Sequence, residues 1–397
     1  MTDENSLTNC PNCGSPDFVK NGRRFNGPNI YQAYLCHSCG LVPTLKLHGT
    51  IERKVLPVEQ ITLPEYEERP IDWPAYNEAQ VAEKLRFLEL LGDLCSFIPE
   101  EDVAHVGRPR ASKREMVFCM VAKLYEVLSS RRVSSDLEIA KGKGYLNQVP
   151  HFNTILKYFN DSDVSPLLDE LIRFSALPLR DFETSFAVDA SGLSSAFYSR
   201  WLDERIDPCR EHEWIKIHVA CGVKTNIITA ITVTDGHSND SPHFPKLVKQ
   251  TAEHFRVREV SADKAYSSRS NLEAVFGVGG IPYIPFRSNT TGKSGGSMAW
   301  QRMFHYFQLH KEAFMERYHQ RSNVESSFSM LKRKFSGKLM MKNEVAQVNE
   351  ALAKLLCHNL CVLVRESCEM GFTAEFEKSA HLFPNLHIKE GPILKNG

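Results

Sequence analysis

The chain has 397 residues, 42% of them hydrophobic and 24% charged, which is typical of a globular protein with two or three domains. Its 48 basic and 48 acidic residues balance, so the net charge neither indicates nor excludes a nucleic-acid partner. The charge is unevenly distributed, because residues 105–145 carry nine basic against four acidic residues and residues 287–344 carry eleven against four. These two segments permit contact with a polyanion.

Neither the N-terminus nor the longest apolar stretch predicts export or membrane insertion. The first residues, MTDENSLTNC, lack the basic and then apolar segments of a secretory signal. The apolar stretch at residues 355–364 is interrupted by His358 and is too short to cross a bilayer. We therefore expect a cytoplasmic protein without a membrane partner.

A cysteine-rich module at residues 8–48 is the first predicted element. It contains two Cys-x-x-Cys pairs separated by 22 residues, Cys10 with Cys13 and Cys36 with Cys39. Two such pairs can supply four thiolates to one tetrahedral zinc ion, which would provide much of the folding energy of so small a module. The sequence predicts a zinc ribbon with structural Zn²⁺; a redox dithiol or chance pairing are the alternatives. Its partner, DNA or protein, stays open.

A connector and a helical segment follow. Residues 49–105 are rich in proline and acidic residues and run into a helical stretch near 77–95. Residues 106–178 show repeated helix starts, with Ser112–Glu115 and Ser135–Glu138 as capping boxes and Ser165 before a proline. Short helices with basic residues between them suit a helix-turn-helix-like DNA-binding region. The alternative is a helical bundle that packs on the next domain.

Residues 182–368 alternate between strand-like and helix-like runs, and two of the strand-like runs are followed by an aspartate. A short apolar run from Phe186 ends at Asp189, and small residues follow it. A second strand-like run leads into Asp263. Between them, residues 213–220 and 227–233 alternate as a hairpin of two strands would. We expect both aspartates to lie at the ends of strands in one sheet.

The third carboxylate, Glu325, is expected on a long helix. Residues 300–335 contain no proline or glycine, and apolar residues recur at helical spacing. On a helical wheel, Glu325 shares a sector of about 60° with Tyr318, Arg321 and Lys332. Arg321, one turn before Glu325, is placed to orient its carboxylate, and Lys332, two turns after it, to reach a phosphate.

Three carboxylates on these elements suit phosphodiester chemistry. Two Mg²⁺ ions stabilise the incoming and the leaving oxygen in such reactions, and each needs hard oxygen ligands. With Asp189 between the ions and Asp263 and Glu325 on either side, the sequence predicts a two-metal catalytic site for Mg²⁺ or Mn²⁺.

These residues resemble one large group of bacterial insertion-sequence DDE transposases. The spacing of Tyr318, Arg321, Glu325 and Lys332 matches the Tyr–Arg–Glu–Lys signature of that group. FAVDASGL resembles its first aspartate motif, SADKAYSS its second, and QVNEALAKLLCHNLCVL the helix that follows its glutamate. The resemblance covers residues 182–368 and, more loosely, 106–178.

The resemblance implies an α/β, RNase H-like catalytic domain with a mixed sheet. We expect residues 369–397, which follow this domain, to form a C-terminal tail. It implies Asp189, Asp263 and Glu325 as catalytic metal ligands, and Tyr318, Arg321 and Lys332 as contacts to DNA phosphates. Family members cut and join DNA at terminal inverted repeats and act as dimers or higher assemblies, so we expect a homodimer on DNA near the nucleoid. Only 61 residues separate Asp263 from Glu325, which leaves no room for the large β-rich insertion of some relatives.

Two other functions remain open. A nuclease with the same RNase H-like metal site would cut DNA without strand transfer. A DNA-binding protein derived from a transposase would bind DNA without cutting it. The presence of all three carboxylates argues against the second of these.

Overall fold

The structure is a computed structural model that describes residues 9–26, 29–40, 42–47, 72–100, 111–195, 214–293, 295–384 and 386. The chain divides into two compact units, residues 1–70 and residues 71–397. Residues 49–71 and 101–105 of the predicted connector and residues 387–397 of the predicted tail lie outside the described ranges.

The first unit contains a three-stranded antiparallel sheet with the order β1-β2-β3. Its strands are β1 (Phe18–Asn26), β2 (Asn29–Cys36) and β3 (Thr44–Leu47). The alternating run from Ile30 to Leu35 lies within β2, which confirms the strand predicted there, and Ala33 and Tyr34 are buried.

The second unit is built on a mixed five-stranded sheet with the order β6-β5-β4-β7-β8. Its strands are β4 (Ser185–Ser194), β5 (Trp214–Gly222), β6 (Ile228–Asp235), β7 (Glu259–Ala262) and β8 (Ile281–Tyr283). The first three form an antiparallel meander, and β7 and β8 run parallel to β4. This order and these directions are those of an RNase H-like α/β fold, which confirms the predicted fold class.

Helices cover the sheet and form the remainder of the second unit. They are α1 (Trp73–Ser96), α2 (Lys113–Tyr125), α3 (Ser134–Gly142), α4 (Phe152–Phe159), α5 (Val164–Ala176), α6 (Phe244–His254), α7 (Arg269–Gly277), α8 (Met298–Leu309), α9 (Lys311–His319), α10 (Ser322–Phe335) and α11 (Glu344–Met370). Within the described ranges, none of these helices combines the length and apolarity needed to cross a bilayer.

The longest helix, α11, lies at the centre of this unit. It packs against α1, α2, α4 and α5 on one side and against β5 and β6 on another, so most of its side chains are buried. The helices at 113–176 therefore share one hydrophobic core with the sheet. Their predicted role in DNA binding stays a prediction.

Two of the three helix starts predicted in this region are wrong. Ser112 does cap α2, accepting a hydrogen bond from the N–H of Glu115 at 3.5 Å. Helix α3, however, begins at Ser134, and the hydroxyl of Ser135 donates to the carbonyl of Arg132. Helix α5 begins at Val164, because the hydroxyl of Ser165 donates to Asn349 on α11 instead of capping its own helix.

The predicted position of Asp189 is also corrected. It does not end its strand, because β4 continues through Ala190, Ser191 and Gly192 to Ser194. The small residues after Asp189 do not form a turn, because β5 pairs with this half of β4 and extends it. It is the parallel neighbour β7 that ends beside Asp189, at Ala262.

The single long helix predicted over 300–335 is three helices, α8, α9 and α10. His310 leaves the helical region with φ −129° and ψ 50°, which separates α8 from α9. A turn at Gln320 and Arg321 separates α9 from α10. Tertiary packing decides this, since α8 packs its aromatic face on Phe286 while α10 lies along β4.

Candidate active site

The four cysteines of the first unit form one cluster. The Sγ atoms of Cys10 and Cys39 are 3.6 Å apart, as are those of Cys13 and Cys36, and all four sulfurs lie within 4.8 Å of one another. A glycine with φ +72° follows each pair, where a residue with a side chain would be strained. Four sulfurs gathered in this way fit a structural zinc ion.

The sheet register brings two of the predicted catalytic carboxylates side by side. Val188 on β4 pairs with Ala262 on β7, so Asp189 and Asp263 are the next residues on two adjacent parallel strands. The backbone N–H of Ala190 donates to Asp189 at 2.9 Å, and that of Lys264 donates to Asp263 at 2.6 Å. Each carboxylate is therefore oriented by the backbone that follows it.

Arg321 joins the third carboxylate to the first. Its Nη1 donates to Oδ2 of Asp189 at 3.0 Å, and its Nη2 donates to Oε1 of Glu325 at 2.6 Å. Arg321 lies at the turn before α10, so its guanidinium reaches β4 while Glu325 extends from the first turn of the helix. The Glu325 side chain is 56% exposed and that of Asp189 21%, so the pair lies at an open edge of the fold.

The electrostatics of Asp189 favour a bound cation. Burial raises the pKa of Asp189, and the negative charges of Asp263 and Glu325 raise it further. The N–H of Ala190 and the charge of Arg321 lower it. Carboxylate oxygens are the donors that Mg²⁺ and Mn²⁺ prefer, so the chemistry of these residues fits a divalent metal site.

The three carboxylates are less tightly gathered than the cysteines. In the described part of the chain, the four cysteines form the only group of three or more potential ligands within 4.8 Å of one another. Asp189, Asp263 and Glu325 thus do not surround one compact point.

The other predicted DNA-contacting residues lie near this edge on different elements. Tyr318 is on α9, with Arg321 positioned 5.9 Å from the centre of its ring. Lys332 is on α10 and donates to the hydroxyl of Ser191 on β4 at 2.8 Å. Tyr318, Arg321 and Lys332 therefore come from three successive elements, a helix, a turn and a second helix.

Two residues beside these carboxylates were missed by the sequence analysis. Ser191 faces the same side of β4 as Asp189, a placement that the alternation of a strand would have indicated had the strand been extended. Tyr266 is buried, three residues after Asp263, and its hydroxyl has no hydrogen-bond partner in the described ranges. Burial, then the charges of Asp189, Asp240 and Asp263, raise the pKa of Tyr266.

Comparison with known proteins agrees with this geometry. Residues 180–360 match the family model of the transposase DDE domain. A probable transposase for insertion sequence element ISA1214, from Archaeoglobus fulgidus, is 26% identical over 331 residues, which cover 79% of this chain and 96% of that protein. A solved piggyBac transposase synaptic complex with hairpin DNA covers 80% of this chain and 83% of its own, at 12% identity and a TM-score of 0.36, which is too low to support an argument.

The segment that carries Asp189, Asp263 and Glu325 is thus a transposase DDE domain. These two matches confirm the resemblance to the DDE transposases of insertion sequences that the sequence showed. Domains of this family use divalent metal ions, in keeping with the carboxylates that this chain brings together.

Proposed function

We propose that this transposase cuts DNA at the terminal inverted repeats of its element and joins the freed 3′ ends to target DNA. The observation that carries the proposal is the bridge from Asp189 through Arg321 to Glu325, with Asp263 beside Asp189 on the neighbouring strand. The two aspartates come from the middle of the sheet and Glu325 comes from a helix, so only the fold brings these distant parts of the sequence together.

Two Mg²⁺ or Mn²⁺ ions, with Asp189 shared between them and Asp263 and Glu325 on either side, would stabilise the incoming and leaving oxygens of the phosphodiester. The residues of the chain position the substrate. Arg321 fixes the carboxylates of Asp189 and Glu325 and, with Tyr318, presents a cation and an aromatic ring to the DNA backbone. Lys332 adds a second cation on the same helix face as Glu325.

The remaining assignments belong to the same proposal. The four cysteines hold one structural zinc ion, and the helices between 113 and 176 take part in DNA binding. Two copies of the chain pair two DNA ends, because insertion into a target requires both ends at one place. The protein acts in the cytoplasm, at the nucleoid.

The test is a cleavage and strand-transfer assay on duplex DNA that carries the element's own terminal repeats, with Mg²⁺. Glu325→Gln removes one negative ligand and keeps the shape of the side chain, so we expect it to bind the DNA but neither cut nor join it. Glu312→Gln is the matched control, because Glu312 is exposed in the first turn of α9, away from Asp189.

Each outcome selects one function. Cleavage and joining by the native protein and by Glu312→Gln, but not by Glu325→Gln, support the transposase. Cleavage without joining indicates a nuclease. DNA binding without cleavage by any of the proteins, with either metal ion, would identify a DNA-binding protein derived from a transposase.

A further inference from the structure

The ammonium group of Lys332 is held at a fixed place by a neutral partner. Its Nζ donates to Oγ of Ser191 at 2.8 Å, across 141 residues of sequence. Its stem lies against Gly337, where an added Cβ would come within 3.3 Å of Cγ of Lys332. Contact on both sides leaves this flexible side chain little freedom.

The segment that carries Gly337 is itself bound to β4. The N–H of Ser194 donates to the carbonyl of Gly337 at 3.0 Å, and the N–H of Leu339 donates to the carbonyl of Ser194 at 2.8 Å. The end of β4, the last turns of α10 and the segment after α10 therefore form three sides of one small site around Lys332.

Among the described residues, none neutralises the positive charge of this site. No carboxylate forms an ion pair with Lys332 within the described ranges, and burial lowers the pKa of Lys332 below its usual 10.5. A partly buried cation with only a hydroxyl as its partner is costly unless an anion completes the site. The chemistry of the site therefore favours an anionic ligand.

Ser191 keeps a donor for the same ligand. A serine hydroxyl has one proton and two lone pairs, and Ser191 uses a lone pair to accept from Lys332. Its own proton remains available to an acceptor, as do two protons of the Lys332 ammonium. One anionic oxygen placed above the pair would receive hydrogen bonds from both residues.

The position of the site relative to Asp189 identifies the anion. Asp189 and Ser191 lie two residues apart on β4 and therefore on the same face, about 7 Å apart along the strand. This spacing is comparable to that of neighbouring phosphates in a DNA strand, so a strand that runs along β4 with one phosphate at Asp189 would bring the next phosphate to Ser191 and Lys332.

We propose that Ser191 and Lys332 form a subsite for the DNA phosphate next to the one that is cut, in which Ser191 positions Lys332 and binds the phosphate itself. The proposal rests on the proposed function, since it requires DNA across Asp189. It goes beyond the family resemblance, which gives Lys332 a phosphate contact and Ser191 no role.

The test is a double-mutant cycle of DNA affinity, measured by fluorescence anisotropy on a labelled duplex without Mg²⁺ or Mn²⁺. Because a charge-assisted hydrogen bond is lost, Lys332→Ala should weaken binding ~10-fold or more and Ser191→Ala ~5-fold. The double variant should bind more weakly than Lys332→Ala but less weakly than the product of the two single effects, because the two residues bind one phosphate and support each other. Ser191→Thr, which keeps the hydroxyl, should stay within about twofold of the native protein.

Two further measurements separate this role from a purely structural one. Ser329→Ala removes a hydroxyl from the exposed face of α10 and should leave affinity unchanged. Lys332→Ala should lower the slope of log affinity against log salt by about 0.9, the value for one phosphate contact. The thermal midpoint of Ser191→Ala should equal that of the native protein.

Replacing single phosphates by methylphosphonates on a DNA end locates the subsite. Native protein should lose affinity when the phosphate beside the cut one is neutral, and Ser191→Ala and Lys332→Ala should not respond at that position. Effects of the two variants that multiply, or a response only at the cut phosphate, would overturn the subsite. A native protein that binds no duplex DNA would instead overturn the proposed function.

Discussion

Glu183 is a buried carboxyl group immediately before β4. It accepts hydrogen bonds from the N–H and the hydroxyl of Thr225, at 2.6 and 2.8 Å, and lies so close to Gly222 that a Cβ there would come within 2.4 Å. Burial raises its pKa to about 7, although the hydrogen bonds from Thr225 and Lys224 oppose this. Glu183 therefore changes charge near neutral pH.

This titration predicts a loss of stability as the pH rises. A carboxyl whose pKa is higher in the folded than in the unfolded protein stabilises the fold while it is protonated. For Glu183 this stabilisation is complete below the pKa of the unfolded chain, near 4.5, and is lost as the pH rises through the folded pKa of about 7. In the native protein, ionisation of Glu183 should lower the free energy of unfolding by roughly 2 to 3 kcal/mol between pH 5 and 8. Glu183→Gln cannot ionise, so this part of the pH dependence should be absent from the variant. Urea unfolding of both proteins across that range measures the difference.

Comparing the two proteins isolates Glu183 from groups that act in the opposite direction. Burial lowers the pKa of His218 and His358 to about 4, so their contribution to stability is lost as the pH falls below 6.5. Both histidines are present in each protein and cancel in the difference. An identical pH dependence of unfolding in native protein and Glu183→Gln would exclude the assigned role of Glu183.

At the scale of elements, one asparagine on α11 joins that helix to α5 and β6. Oδ1 of Asn359 accepts from the N–H of Ile228 at 2.9 Å, and its Nδ2 donates to the carbonyls of Ile228 and Ile172 and to the hydroxyl of Ser175. The end of α5 and the start of β6 thus use one buried amide as their hydrogen-bond partner.

Asn359→Leu should therefore destabilise the protein by about 3 kcal/mol or more. Leucine has a similar size, so the cost comes from leaving the N–H of Ile228 buried without a partner and from removing the donor to the carbonyls of Ile228 and Ile172. Chemical denaturation compares this variant with Asn153→Leu, which makes the same change on the exposed face of α4 and should cost less than about 0.5 kcal/mol. Similar losses in both variants would contradict the role of Asn359.

Some elements of the fold follow from local sequence patterns, whereas others depend on distant contacts such as those of Asn359. Strands β5 and β6 follow from local alternation, and both lie where that pattern predicts them. The starts of α3 and α5 differ from those that the local patterns predict. For α5, the hydroxyl of Ser165 donates to Asn349, 184 residues away. Partners this distant are fixed by tertiary packing, which no local pattern contains.

The candidate site also combines contacts that local spacing predicts with contacts that depend on tertiary packing. The spacing of Arg321 and Glu325 predicts their contact, because four residues near a helix start bring them to one face. The contact from Lys332 to Ser191 depends on how α10 lies along β4. The turn at Gln320 and Arg321, which separates Tyr318 from Glu325, follows from no local pattern either. The sequence thus predicts candidate residues for the site, whereas their supporting contacts depend on tertiary packing.

At the scale of the whole molecule, the two units are stabilised by different forces. Residues 71–397 share one large hydrophobic core in which α11 is buried among helices and sheet. In the described part of the first unit, which has one three-stranded sheet, the buried side chains are few, with Ala33, Tyr34, Cys10 and Cys36 among them. A core of this size offsets little of the entropy of ordering the chain, so we expect metal binding to supply the difference.

Removing zinc should therefore unfold the first unit alone. We expect one zinc per chain by elemental analysis and, after treatment with a strong chelator, fast amide hydrogen exchange in β1, β2 and β3 while exchange in β4 and α11 stays slow. Cys13→Ser should reproduce this effect, because it removes one of four ligands. Cys368→Ser, which changes a cysteine outside the cluster, should retain the metal and the slow exchange. If β1 to β3 remain protected without metal, their stability comes from the sheet itself and the four sulfurs are not a folding site.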